Sequence, residues 1–122
     1  MEKRKPTIKH IEVSQNTAEL VLRVDEDILD FKGHFTHFPL LPGVTQIDWA
    51  LFYAIQYLKT PTAFKGMEVI KFQEPILPNS TVHLALSWDG EKGKLAFKYT
   101  SGSHDTQNTH SSGKMKLGQP SE

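Results

Sequence analysis

Hydrophobic and polar positions alternate along this chain, then merge into one apolar block, then alternate again. Thr7–Val13 sets Ile8, Ile11 and Val13 among polar residues, a weak strand signal that ends at a turn, Gln15-Asn16. Ala18–Val24 reads AELVLRV, with Ala18, Leu20, Leu22 and Val24 on one face and Glu19, Val21 and Arg23 on the other. A period of two marks a half-buried strand, so the two segments predict a hairpin. Asp25–Asp30 is acidic and breaks the pattern. Phe31–Gly43, FKGHFTHFPLLPG, has no period and carries two glycines, two prolines and two histidines. A loop this apolar must pack against something.

Pro42-Gly43 leads into VTQIDWALFYAIQYL. Val44, Ile47, Leu51, Ala54, Ile55 and Leu58 form a helical stripe, while Trp49, Ala50, Phe52, Tyr53 and Tyr57 make the other faces apolar too. A helix of about four turns that is apolar nearly all round is expected to be buried nearly all round. Thr60-Pro61-Thr62 ends it. Strand patterns then resume at Met67–Phe72, with Pro75 and Pro78 flanking a bend, and at Thr81–Trp88. Asp89-Gly90 reads as a hairpin turn, and Leu95, Phe97 and Tyr99 alternate on the returning strand. Ser101-Gly102-Ser103 is a further turn, and the polar stretch Thr106–Leu117 is the last strand. The order predicts an α+β fold, one domain over residues 1–122, with an antiparallel sheet wrapped around one helix. So short a sheet cannot cover such a helix alone, and a second copy of the chain is expected to supply part of the cover.

Composition narrows the function classes. A chain of 122 residues has room for one core. Its 14 basic and 14 acidic side chains balance, which argues against a nucleic-acid binder. It has no cysteine, which excludes disulfides, thiolate catalysis and Cys-based metal sites. The longest apolar run, Trp49–Ile55, falls short of the ~20 residues that span a bilayer. No apolar run follows Met1–Pro6, so a signal peptide is not expected and a cytoplasmic location is. The basic cluster Lys3-Arg4-Lys5 reads as a frayed, solvated terminus rather than a partner patch.

The candidate chemistry lies in the loop and the helix. Asp48 stands inside IDWALFYAI, where an unpaired buried carboxylate is costly, so it is expected to face a wet cavity or a partner unless it lies at an exposed seam. Held in a cleft, such an acid can do proton transfer near neutral pH. Gly43 opens the helix, where close backbone approach and free N–H groups suit a developing oxyanion, although Pro42-Gly43 could simply start a helix. His34 and His37 form an H-x-x-H pair with no third ligand nearby, so no metal site is expected. His10, His83, His104 and His110 read as bystanders.

Gly33-His34-Phe35, Pro39, Pro42-Gly43-Val44 and Asp48 resemble the G-H-F-P-x-x-P-x-x-P-G-(V/C)-x-x-x-(E/D) signature of bacterial 3-hydroxyacyl-[acyl-carrier-protein] dehydratases of the FabA and FabZ types. Phe64-Lys65-Gly66-Met67 to Phe72, with Pro75 and Pro78, is similar to the strand after the helix in that family. The resemblance implies the hotdog fold. It also implies a catalytic histidine at His34, a catalytic acid at Asp48 and an oxyanion-binding N–H at Gly43. It further implies an acyl-carrier-protein thioester as substrate, no cofactor, and a homodimer whose sites are shared between chains. Phe35, Leu40, Val44, Trp49 and Phe52 are the expected substrate-binding residues. Thr36 replaces the family's proline, His37 and Phe38 replace small or polar residues, and Phe52 stands where glutamine is common. The chain most resembles the short dehydratases of aryl-polyene or related specialised lipid pathways, and Trp49, Phe52, Tyr53, Phe38 and His37 would give an aromatic-rich site. The same aromatics could instead be core or dimer packing. A hotdog thioesterase and a non-catalytic acyl-carrier-binding protein are the alternative readings.

Overall fold

The computed structural model describes residues 3–31, 39–102 and 106–120. The elements in chain order are β1 (Thr7–Val13), β2 (Thr17–Val24), a short 3-10 turn (Leu29–Phe31), α1 (Gly43–Leu58), β3 (Ala63–Phe72), β4 (Ser80–Asp89), β5 (Lys94–Ser101) and β6 (Asn108–Gly118). The strands form one six-stranded sheet in the order β1-β2-β4-β5-β6-β3, antiparallel at every pairing. The predicted wrapping of a sheet around one helix is what forms.

Alternation builds the inner face. Ala18, Leu20, Leu22 and Val24 of β2 are buried, as are Val82, Leu84 and Leu86 of β4, Leu95, Phe97 and Tyr99 of β5, and Met115 and Leu117 of β6. Register aligns them in rows that run across the sheet, such as Leu20↔Leu84↔Tyr99↔Ser111↔Phe72. One row needs a glycine. A Cβ on Gly113 would sit 2.8 Å from the Phe97 ring and 2.7 Å from the Val69 carbonyl.

The helix is buried on one side rather than nearly all round, and of the expected stripe only Ala54 and Leu58 lie on that side. Thr45, Gln46, Trp49, Ala50, Tyr53, Ala54 and Leu58 are buried, while Val44 is 74% exposed and Ile47, Leu51 and Ile55 are only half-buried. Apolarity could not choose between faces of a helix apolar all round. The two polar residues in the first turn of the buried side are satisfied: Thr45 Oγ1 donates to Asp30 at 2.7 Å and Gln46 is bonded at both ends of its carboxamide. Lys59, in the left-handed region at φ 56°, terminates the helix.

The basic N-terminal cluster is also tied down rather than frayed. The Lys3 carbonyl accepts the Leu29 N–H at 2.7 Å, and the Arg4 carbonyl accepts the Trp49 indole N–H at 3.0 Å. Lys3 Nζ lies 2.9 Å from Asp25, Arg4 Nε 3.2 Å from Asp30, and Lys5 Nζ 4.0 Å from Asp48. No helix among the described residues is long and apolar enough to cross a membrane.

Candidate active site

The first turn of α1 carries the first part of the site. Pro42 is the N-cap, at φ −60° and ψ 148°, and its side chain cannot cap. The opening N–H groups of any helix lack an intrahelical acceptor and sit at the positive end of its dipole. Here the first of them belongs to Gly43. The Phe72 ring lies directly on it, and a Cβ at Gly43 would stand 2.5 Å from the ring tip. A cavity of about 380 Å³ opens beside this turn, lined by Leu40, Leu41, Gly43, Gln46, Phe72, Gln73, Glu74, Pro75 and His110.

Two polar networks brace that cavity. The Gln46 Nε2 donates to the Leu41 carbonyl at 3.2 Å, Ser111 Oγ donates to Gln46 Oε1 at 2.6 Å, and the Tyr99 hydroxyl donates to the Gln46 carbonyl at 2.7 Å. Burial pushes the Tyr99 hydroxyl well above its ordinary range and, with the nearby Tyr57, takes Tyr53 up to about 12. Both therefore remain neutral at physiological pH. His110 Nδ1 lies 3.0 Å from the Glu74 carbonyl, which can only accept, so Nδ1 carries the proton and Nε2 accepts from Ser101 Oγ at 2.7 Å. With both ring nitrogens hydrogen-bonded, His110 buttresses the cavity.

Asp48 lies on the outward side of the same helix. Its side chain is 68% exposed, in a cleft of about 490 Å³ with Val44, Ile47, Leu51, Phe64, Met67 and Ile70. In a single chain the carboxylate is thus solvated, with the Lys5 ammonium 4.0 Å away, and the cost of burying it is not incurred. Lys5 Nζ also lies 4.5 Å from the centroid of Phe52, which is 43% exposed one turn beyond Asp48. A larger cavity, about 630 Å³, lies across the sheet from the helix, among Ala85, Ser87, Ala96, Lys71, Lys98 and Lys114. Its lysines are solvated surface groups, and it holds none of the acid–base or amide groups gathered around α1.

The predicted residues therefore separate. Gly43 and Leu40 line the cavity at the helix start, Asp48 and Val44 line the outward cleft, and Phe52 sits beside that cleft. Trp49 does not join them; it is 1% exposed in the core, with its indole N–H held by Arg4. His34 and Phe35 lie outside the described residues. Gln46, Phe72 and His110 were missed as site residues. A glutamine in the first turn of an otherwise apolar helix was the available signal for Gln46.

Open amides and a nearby carboxylate can stabilise an oxyanion and move a proton, which suits acyl-thioester chemistry. A family profile described as ApeI-like, the ApeI dehydratase, matches residues 10–114. The chain belongs to the ApeI-like dehydratase family. The chain is 39% identical to a chain of the dehydratase heterocomplex ApeI:P from Xenorhabdus doucetiae, covering 92% of this chain and 96% of that one, with a TM-score of 0.82. It is 43% identical over the full length of both chains to an uncharacterised protein from Erwinia carotovora subsp. atroseptica, with a TM-score of 0.81. It is 31% identical over 87 residues to the 3-hydroxyacyl-[acyl-carrier-protein] dehydratase FabZ of Teredinibacter turnerae, a match covering 62% of this chain and 58% of that enzyme. The six-stranded sheet around one helix is the hotdog fold of these dehydratases.

Proposed function

We propose that this chain dehydrates a 3-hydroxyacyl thioester, carried on acyl carrier protein, to the trans-2-enoyl thioester, in the cytoplasm and without metal or cofactor. One observation carries the reading. A single helix presents an open amide end at Gly43, roofed by Phe72, and a solvent-facing carboxylate at Asp48. The two lie roughly 7.5 Å apart along the helix axis.

The reaction needs three groups. A neutral imidazole, His34, takes the proton from the carbon next to the thioester carbonyl. The charge passes to the thioester oxygen, where the Gly43 N–H meets it; losing a comparable donor costs ~3 kcal/mol. Asp48, protonated, delivers its proton to the departing hydroxyl, and water leaves.

Asp48 can do acid work only once its cleft is closed to bulk water. The apolar walls around it, with Phe64, Val69, Ile70 and Phe72 exposed along the edge strand β3, support a second copy of the chain as the closing group. That copy would share its site, His34 from one chain acting with Asp48 of the other. The Xenorhabdus relative forms a heterocomplex, which favours a second reading with a different dehydratase chain in that place. An aryl-polyene-type acyl chain is the finer substrate reading, and the aromatic surface available to it is Phe52 and Phe64 rather than Trp49.

Incubation with a 3-hydroxyacyl thioester tests the reaction. Enoyl product is expected; free acid would make the protein a thioesterase, and unchanged substrate a binding protein. The shared site is tested by refolding His34→Ala and Asp48→Asn chains together. Random pairing leaves one intact site in each mixed dimer, so roughly a quarter of wild-type activity should return. Mixed dimers without activity would place both groups within one chain. A wild-type chain that stays monomeric until a related dehydratase is added would favour the heterocomplex.

A further inference from the structure

We infer that Gln46 is a positioning residue that fixes the direction of the Gly43 N–H. The inference rests on the dehydratase reading and adds to it a residue that takes no part in proton transfer.

Two consecutive peptides lead into the helix. The first joins Leu41 to Pro42, has no N–H of its own, and is held through its carbonyl, which accepts from Gln46 Nε2 at 3.2 Å. The Leu41 N–H, on the peptide before it, donates to the Ile76 carbonyl at 2.8 Å. The second joins Pro42 to Gly43 and carries the N–H in question. Its carbonyl accepts from the Thr45 N–H at 3.1 Å and from the Gln46 N–H at 3.2 Å. Between the two planes the proline ring fixes φ near −60°, so ψ of Pro42 is the one soft torsion left. Gln46 holds the plane on each side of that torsion, one with its side chain and the other with its backbone. The Pro42 carbonyl points into the helix, so the Gly43 N–H on the same rigid peptide points out of it.

The carboxamide is held in turn. Gln46 is 3% exposed, and Ser111 Oγ on β6 fixes the carboxamide oxygen at 2.6 Å, so the carboxamide nitrogen faces Leu41. An apolar side chain would fill the same space. What glutamine adds is a donor aimed at the loop and an acceptor anchored to the sheet.

The test uses the whole chain and a 3-hydroxyacyl N-acetylcysteamine thioester, with wild type assayed first. Gln46→Met keeps the volume and removes both bonds. Misaiming a reacting-group donor by about 1 Å costs up to about a hundredfold, so kcat should fall by ten- to a hundredfold with KM little changed. Ser111→Ala leaves the Nε2–Leu41 bond in place and should lower kcat by no more than about threefold. Gln46→Glu gives the discriminating readout. Its carboxylate still accepts from Ser111 but cannot donate to Leu41 until it is protonated, so its activity relative to wild type should rise as pH falls. Glu74 and His110, the other titratable groups on this cavity, are common to every variant and cancel in that ratio.

A Gln46→Met chain with wild-type kcat, or a Gln46→Glu ratio flat with pH, overturns the inference. So does a Ser111→Ala loss as large as that of Gln46→Met, since it would mark the cluster as packing alone. If Gln46→Met does not fold, the Gln46→Glu and Ser111→Ala measurements still decide. Wild type without enoyl product removes the dehydratase reading and this inference together, whereas active wild type with indifferent variants removes this inference only.

Discussion

The two sides of α1 differ in cover more than in polarity. The side against the sheet buries Trp49, Ala50, Tyr53, Ala54 and Leu58 together with Thr45 and Gln46, while the side toward solvent displays Val44, Ile47, Leu51 and Phe52 around Asp48. The inner side is stable because its polar atoms are bonded, and among the described residues no buried side-chain polar atom lacks a partner. The outer side is apolar without cover. Satisfied hydrogen bonds thus allow Thr45 and Gln46 to face inward, while the apolar surface of the outer side stays uncovered in the single chain.

The largest expected effect bears on the outer side. Asp48→Asn keeps the shape and removes the transferable proton, so turnover should drop by about 10²–10⁴ while the fold measured by circular dichroism is retained. His34→Ala should cost a comparable factor and His37→Ala far less. An Asp48→Asn chain with wild-type turnover would remove the proposed catalytic role of Asp48.

A mutation on the inner side should act on stability instead. Trp49→Ala removes a fully buried ring and the donor to Arg4, and should cost about 3–5 kcal/mol in denaturant unfolding. Trp49→Phe should cost less and leave the ranking of acyl substrates unchanged. A changed ranking without lost stability would return Trp49 to the substrate-binding set.

A charge on the outer side should separate assembly from folding. Val44→Glu places a carboxylate where the single chain is 74% exposed, so thermal stability of the lone chain should change by less than about 0.5 kcal/mol. Light scattering should nevertheless report dissociation. An unchanged oligomer would mean that this side is not the covered one.

The smallest effect concerns the acidic turn behind the helix. Burial pulls the Asp25 carboxyl up, but hydrogen bonds from Thr7 and Lys3 and the charges of Lys3 and Arg23 outweigh it and leave it below its ordinary value. A carboxyl lowered in the folded state stabilises the fold above its unfolded pKa, and that contribution is lost as pH falls through the folded value. Thr7→Val should therefore lower the melting temperature slightly at neutral pH, and its difference from wild type should shrink under acid. A difference that does not shrink would remove Asp25 from the explanation.

Much of the fold was legible because its strands repeat a short rule. The β1–β2 hairpin, the span of α1 and the inward Leu95, Phe97 and Tyr99 follow from alternation and punctuation. β3 begins at Ala63, earlier than its pattern indicated, because irregularities between Phe64 and Gly66 and between Met67 and Val69 break the alternation. Facing on α1 was illegible to a hydrophobicity count, since the deciding bonds reach residues far along the chain, Ser111 and Tyr99. Gly43 and Asp48 were legible as a motif, but their opposite settings were not. His110 read as a bystander because its partners, Glu74 and Ser101, come from other elements.

The contacts of Lys3, Arg4 and Lys5 give proteolysis on the N-terminal side of β1 a structural cost. A clip just before Thr7 would remove the Arg4 carbonyl and leave the Trp49 indole N–H in the core without its acceptor, at a cost of about 1–3 kcal/mol. The same cut would take away Lys5 and with it the cation beside Asp48 and Phe52. Arg4 thus fastens the core and Lys5 sets a cation beside Asp48, so a protein trimmed there would be weaker and differently charged near that carboxylate.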